Sequence, residues 1–184
     1  MPYPKRPIRS LLVLGGARCG KSRYAQKLAE ASRLQPVLIA TAEAHDAEMA
    51  LRIARHAASR DSHWTVVEEP VALAGALHRE ARKDRIVVVD CATLWLSNLL
   101  LQDADAAGAT QDLAQGVAGL SGPVVFVSNE VGAGIVPENP LARAFRDAQG
   151  LFNQALAEAC DAVVLLNAGI ARCLKPAPEP NFRF

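Results

Sequence analysis

A chain of 184 residues, 51% of them hydrophobic, is long enough for one sizeable core and too short for two. Twenty basic residues against 19 acidic ones leave a net charge of +1, and no basic cluster interleaved with aromatics occurs. A dedicated nucleic-acid surface is thereby excluded. No apolar stretch approaches the ~20 residues of a membrane span, which excludes stable membrane insertion.

At the N-terminus, Lys5, Arg6 and Arg9 precede an apolar run and then Cys19, an order that resembles an export or lipoprotein signal. The run holds only four contiguous large apolar residues, and charged Arg18 stands directly before Cys19, so a cytoplasmic protein is expected. Leu11-Leu12-Val13-Leu14 reads as a buried strand. Gly15-Gly16-Ala17-Arg18-Cys19-Gly20-Lys21-Ser22 follows it, a complete G-x-x-x-x-G-K-[ST] loop. Gly15 and Gly20 allow the backbone to turn successive N–H groups around phosphate oxygens. Lys21 brings a point charge to the β- and γ-phosphates, and the Ser22 hydroxyl can ligate Mg²⁺. Good helix formers come next, with Tyr24, Leu28 and Ala31 on one face. Strand, loop and helix in this order aim a helix N-terminus at an anion, and the expectation is nucleoside-triphosphate binding.

Strand-like and helix-like segments alternate from there. Pro36 to Ala40 is a second buried strand. Residues 46–59 read as a helix with Asp46 as N-cap and Met49, Ile53 and Ala57 as its apolar stripe. Trp64 to Val67 is a short strand and 71–83 a helix. Ile86 to Val89 is a buried run that ends at Asp90. A carboxylate there can orient Mg²⁺ or its waters beside the phosphate loop, or it can simply cap a loop. Thr93 to Leu101 is apolar on nearly all sides, which suits either a central core helix or a subunit interface. Residues 102–121, rich in Ala, Gly, Gln and Asp, read as a loop with at most one weak helix. Val124 to Val127 is a strand, Leu141 to Cys160 a long helix and Ala162 to Leu166 a last strand. The fold class is therefore α/β, resembling the P-loop NTPases, with a mainly parallel sheet and helices on both faces. Residues 1–184 form one domain, with 1–9 and 176–184 expected as mobile tails. Cys19, Cys91, Cys160 and Cys173 show no metal-ligand spacing and are expected to be reduced and mostly buried.

Several longer motifs stand in order along the chain. Gly-Gly-Ala-Arg-x-Gly-Lys-Ser, Ile-Ala-Thr-Ala and Asp-x-Glu-Met-x-x-Arg-Ile-x-x-His-x-x-x-Arg are followed by Trp-x-x-x-Glu and Val-Asp-Cys-x-Thr-Leu-Trp-Leu-Ser-Asn-Leu-Leu. Ser-Asn-Glu-Val-Gly-x-Gly-Ile-Val-Pro-Glu-Asn-x-Leu-Ala-Arg-x-Phe-Arg-Asp and Leu-x-x-Ala-Gly-Ile complete the set. This succession resembles the bifunctional adenosylcobinamide kinase/adenosylcobinamide-phosphate guanylyltransferases of cobalamin biosynthesis, over nearly the whole chain. The resemblance implies two reactions. A γ-phosphate passes from ATP or GTP to the aminopropanol hydroxyl of adenosylcobinamide. GMP from GTP then joins that phosphate through a guanylylated histidine, giving adenosyl-GDP-cobinamide and pyrophosphate. It also implies a homotrimer with nucleotide sites near subunit boundaries.

Carried over residue by residue, the histidine motif falls on His56. Alone, a helical histidine is commonly solvated or structural. Arg52 and Arg60, at i−4 and i+4, place cations beside it that could meet phosphate oxygens and favour the neutral, nucleophilic imidazole. The implied nucleotide contacts are the loop from Gly15 to Ser22, Ala40, Thr41 and Ala42, then Ala57, Ala58, Ser59 and Arg60, then Glu68 and Asp90. Ser22 and Asp90 are the implied Mg²⁺ ligands. Glu68 could read guanine through N1–H and N2–H₂, or be an ordinary surface acid. Asn129 and Glu130 could touch the corrinoid or the metal, and Gly132 and Gly134 could be turn formers only. Three features depart from the family pattern that the resemblance implies: Cys19 stands in place of a serine, Ala171 in place of a proline, and the tail beyond Lys175 matches nothing. Two other readings fit the phosphate loop by itself: a small-molecule kinase without guanylyl transfer, and a non-enzymatic GTP-sensing module.

Overall fold

The apolar runs of the sequence become the inner strands of one sheet in the computed structural model, which describes residues 7–43, 51 and 63–176. In chain order the elements are β1 (Ser10–Gly15), α1 (Lys21–Ala31), β2 (Gln35–Ala40), β3 (Thr65–Glu68), α2 (Leu73–Glu80) and β4 (Arg85–Asp90). They continue with α3 (Ala92–Leu101), α4 (Ala106–Val117), β5 (Val124–Val127), α5 (Pro140–Ala159), β6 (Ala162–Asn167) and β7 (Ile170–Lys175). Of the expected helix at 46–59 only Leu51, in helical conformation, is described; Asp46, Met49, Ile53 and Ala57 lie outside the described residues, as do 1–6 and 177–184.

The seven strands stand in the order β3-β2-β4-β5-β1-β6-β7. All neighbours are parallel except β6 and β7. Strands buried on both faces read as continuous apolar runs, and β4 and β5 do so. One face carries Leu12, Val37, Ile39, Val87, Val89 and Phe126, packed under α2, α3, α4 and α5 through Leu77, Trp95, Leu113, Phe152 and Leu156. The other carries Val13, Leu38, Val88, Val125 and Val164 against Ala25 and Ala29 of α1. Helices thus cover both faces, as expected.

Several expectations change in detail. The buried face of α1 is Lys21, Ala25 and Ala29, not Tyr24, Leu28 and Ala31, because small side chains let the helix lie close on the sheet. Residues 102–121 hold a full helix, α4, capped by Asp105, whose carboxylate accepts from Gly108 N at 2.9 Å, and anchored in the core by Leu113 and Val117. Helix α3 is a core helix: Trp95, Leu96 and Leu99 are buried and only Leu101 is strongly exposed. All four cysteines are free, but only Cys160 is buried; the other three are half-buried.

Strand β7 was not anticipated. A two-residue turn, Ala168 (φ 50°) and Gly169 (φ 81°), joins it to β6, the positive-φ pair that suits a tight hairpin. At its far end the Lys175 ammonium donates to the carbonyls of Ala157, Glu158 and Cys160 at 2.9, 2.9 and 2.6 Å. It thereby closes the carboxyl end of α5, where carbonyls lack helical partners. The chain entering β1 is also pinned, contrary to a mobile segment reaching residue 9. Arg9 N and Ser10 N donate to the Asp161 carboxylate at 2.8 and 3.1 Å, and Asp161 N donates back to Ser10 Oγ at 2.8 Å.

Candidate active site at the carboxyl ends of the strands

Polar side chains are costly to bury unless hydrogen-bonded, so their placement marks where a fold keeps chemistry. Among the described residues the buried polar side chains are Ser10, Lys21, Thr41, Thr93, Asn98, Ser128, Gln149 and Asn153. All except Ser10 gather at the carboxyl ends of the strands, the rim where open α/β sheets bind ligands.

The phosphate loop spans the end of β1 and the start of α1. At Gly15 (φ 150°) a Cβ would stand 2.5 Å from Leu166 O and 2.6 Å from Cys19 Sγ, so only glycine fits. Lys21 is 7% exposed, and its ammonium donates to Gly16 O at 2.7 Å, 3.8 Å from Cys19 Sγ. The β6–β7 turn supports the loop from outside, with Gly169 N donating to Cys19 O at 2.9 Å.

Ser22 Oγ donates to Asp90 Oδ1 at 3.2 Å. The hydroxyl at the head of α1 and the carboxylate at the end of β4, 68 residues apart, therefore form one oxygen pair. Hard oxygen donors of this kind suit Mg²⁺, which keeps several waters and takes only one or two protein ligands beside substrate phosphates. The strand register continues the row: Glu68 pairs with Ala40, Ala40 with Asp90, and Asp90 with Val127. Glu68 is exposed and lies two strand spacings, about 10 Å, from Asp90. Its neighbour Glu69 has a structural task, accepting from Val71 N and Ala72 N at 3.3 and 2.8 Å ahead of α2.

Thr41 is tied to the residue after Asp90. Its Oγ1 donates to Cys91 O at 2.7 Å and accepts from Cys91 N at 3.1 Å. Asn98 of α3 donates to Thr41 O at 2.8 Å and to Pro70 O at 3.1 Å, joining the ends of β2 and β3. Burial, then the neighbouring Asp90 charge, push the Cys91 thiol up to about 11, so it is neutral at cellular pH.

A second network holds the end of β5. Thr93 Oγ1 accepts from Asn129 N at 2.7 Å and lies 3.4 Å from Ser128 Oγ. Ser128 Oγ donates to Asn153 Oδ1 at 2.7 Å, Gln149 Nε2 donates to both, and Asn153 Nδ2 donates to Asn129 O at 3.0 Å. Glu130 N donates to Gly15 O at 3.0 Å, which docks this loop on the first glycine of the phosphate loop. The Glu130 carboxylate accepts from Gly132 N at 2.7 Å and so shapes its own turn.

The structure thus brings together the loop from Gly15 to Ser22 with Ala40, Thr41, Ala42 and Asp90, and sets Glu68 at the edge of the same row. His56, Ala57, Ala58, Ser59 and Arg60 lie outside the described residues. Sequence reasoning gave no role to Thr93, Asn98, Ser128, Gln149 or Asn153. Their signal was polarity inside otherwise apolar segments, as in Thr-Leu-Trp-Leu-Ser-Asn.

A parallel sheet with this loop on its first strand and an acid at the end of β4 defines a P-loop nucleotide-binding fold. RadB recombinase has a similar fold, with a TM-score of 0.52 and 14% identity over 85% of this chain and 73% of that one. The family model described as "Cobinamide kinase / cobinamide phosphate guanyltransferase" matches residues 11–174. The bifunctional adenosylcobalamin biosynthesis protein CobP of Pseudomonas aeruginosa is 47% identical over 169 residues, covering 91% of this chain and 98% of that protein. The Escherichia coli K12 protein CobU, of the same description, is 40% identical over 180 residues, covering 90% and 99%. This chain belongs to the cobinamide kinase/cobinamide phosphate guanyltransferase family, transferases built on the P-loop fold.

Proposed function

We propose that this protein, acting as a single domain, phosphorylates adenosylcobinamide and then guanylylates the product. In the first reaction the aminopropanol oxygen bonds to the γ-phosphorus of ATP or GTP. The bond to the bridging oxygen breaks, the nucleoside diphosphate leaves and the hydroxyl proton passes to solvent. Lys21 and the loop N–H groups hold the phosphates and meet the charge that develops on them. The observation that carries this reading is the Ser22–Asp90 hydrogen bond, which joins the loop hydroxyl and the strand-end carboxylate at one place. Ser22 and Asp90 would hold Mg²⁺, which when bound neutralises phosphate charge.

In the second reaction an imidazole nitrogen of His56 attacks the α-phosphorus of GTP and pyrophosphate leaves. A phosphate oxygen of adenosylcobinamide phosphate then displaces the imidazole, giving adenosyl-GDP-cobinamide. Support for His56 comes from the family motif and from Arg52 and Arg60 on either side of it in sequence. Support for Glu68 as guanine reader comes from its place in the row that runs through Ala40 to Asp90. Ala57, Ala58, Ser59 and Arg60 complete the proposed GTP contacts.

The proposed assembly is a cytoplasmic homotrimer. Family resemblance supports it, together with apolar side chains left exposed at Ile135, Val136 and Leu141. Among the described residues, no helix is long and apolar enough to cross a membrane.

The test is labelling. With α-labelled GTP the protein retains acid-labile, base-stable label, and with γ-labelled ATP or GTP it transfers label to adenosylcobinamide. His56→Asn, which loses the basic imidazole nitrogen, abolishes the covalent adduct and adenosyl-GDP-cobinamide while leaving substantial kinase activity. An adduct that persists in His56→Asn moves the nucleophile elsewhere. Equal loss of both activities in a folded variant makes His56 a shared phosphate-binding residue.

A further inference from the structure

Resting on the kinase reading above, we propose that Asn129 is a further catalytic residue of phosphoryl transfer, its side-chain amide meeting the γ-phosphate, and that Thr93 and Asn153 are the positioning residues that hold it there. Strand β5 lies between β1, which carries the phosphate loop, and β4, which carries Asp90. Val127 is level with both Val13 and Asp90, so Asn129, two residues on, stands just beyond the strands in the crevice between loop and acid. The hydrogen bond from Glu130 N to Gly15 O fixes that level against the loop.

Both backbone groups of Asn129 are taken by buried side chains. Its N–H goes to Thr93 Oγ1 and its carbonyl accepts from Asn153 Nδ2. Gln149 and Ser128, both fully buried, brace Asn153 from below. An apolar cluster at the same place would pack without the desolvation cost, which this frame offsets through its internal hydrogen bonds, Gln149 Oε1 alone among its buried polar atoms being left without a partner. What it achieves is to fix one peptide at the lip of the phosphate loop. Among the described residues the Asn129 side-chain amide makes no hydrogen bond, and the residue is half-buried, so the amide remains open to a ligand. A neutral amide can donate N–H to phosphoryl oxygens without adding negative charge to a site that gathers it during transfer.

The test compares Asn129→Ala and Asn129→Asp with wild type for ATP and ADP binding with Mg²⁺ and for kinase turnover. Asp is nearly isosteric with Asn, so a purely structural role tolerates it at least as well as Ala. Contact with the γ-phosphate reverses that order, because Asp sets a carboxylate against it. Expected are a fall in kcat of about tenfold or more for Ala and about a hundredfold or more for Asp. ATP affinity falls in Asn129→Asp, while ADP affinity stays within about threefold. Thr93→Val lowers kcat by about tenfold, and Thr93→Ser restores it. Equal losses of ATP and ADP affinity, or Asp tolerated better than Ala, overturn the proposal. If wild-type protein fails to phosphorylate adenosylcobinamide while Asn129→Asp still lowers ATP affinity and spares ADP affinity, the kinase reading falls and the γ-phosphate contact stands.

Discussion

Lys21 shows how a single side chain is held ready at a site. A lysine at 7% exposure is costly to keep charged unless its donors are satisfied, and its bond to Gly16 O supplies one partner within the loop itself. Phosphate oxygens are stronger partners than a carbonyl, because both ends of the interaction are then charged. Lys21→Ala removes that cation and is expected to lower kinase kcat by about a thousandfold, read in a steady-state assay with adenosylcobinamide. Turnover within tenfold of wild type would discard Lys21 as the phosphate cation. Nearby Cys19 contributes its carbonyl to Gly169 N, so the loop is held there through a backbone contact that does not depend on the thiol.

At the scale of elements, β7 and α5 depend on each other. Three terminal carbonyls of α5 converge on the Lys175 ammonium, where the helix dipole also favours a cation. Lys175→Met keeps the aliphatic stem and removes the charge. It should cost about 1–2 kcal/mol and lower Tm by about 2–8 °C, measured by calorimetry. An unchanged Tm would mean that water satisfies these carbonyls equally well. Neither element was equally easy to read from sequence. The phosphate loop and Asp90 were legible because their signals are contiguous: glycines at fixed spacing, and an acid closing an apolar run. Strand β7 was not, since Ile-Ala-Arg-Cys-Leu-Lys is largely exposed and packs on one neighbour only; the Asn-Ala-Gly turn before it was the available sign. Helix α4 hid behind its two glycines, and tertiary contacts through Leu113 and Val117 override their low propensity. The polar frame around Ser128 joins three elements distant in sequence, and no local pattern announces such a convergence.

For the whole molecule, ionisation of two thiols sets a limit at alkaline pH. Burial, then the Asp90 charge, raise Cys91 to about 11, and burial raises Cys160 to about 12. In the unfolded chain both lose protons near the ordinary value of 9.0. Their contribution to stability is therefore fully present below pH 9.0 and is lost as pH rises through about 11 and 12. Urea unfolding as a function of pH should show a steeper alkaline decline for wild type than for the Cys91→Ala/Cys160→Ala variant. Parallel curves would contradict this account. Light scattering tests the proposed assembly: a trimer mass is expected at working concentrations, and a stable monomer would leave Ile135, Val136 and Leu141 as plain surface.

The hairpin turn at Gly169 has one more consequence. Because its amide is bonded to the carbonyl of Cys19, the outermost strand of the sheet and the phosphate-gripping loop share a hinge point. Occupancy by a triphosphate would then be felt as slower proton exchange at the Gly169 amide. The edge hairpin becomes a remote gauge of how tightly the loop is closed.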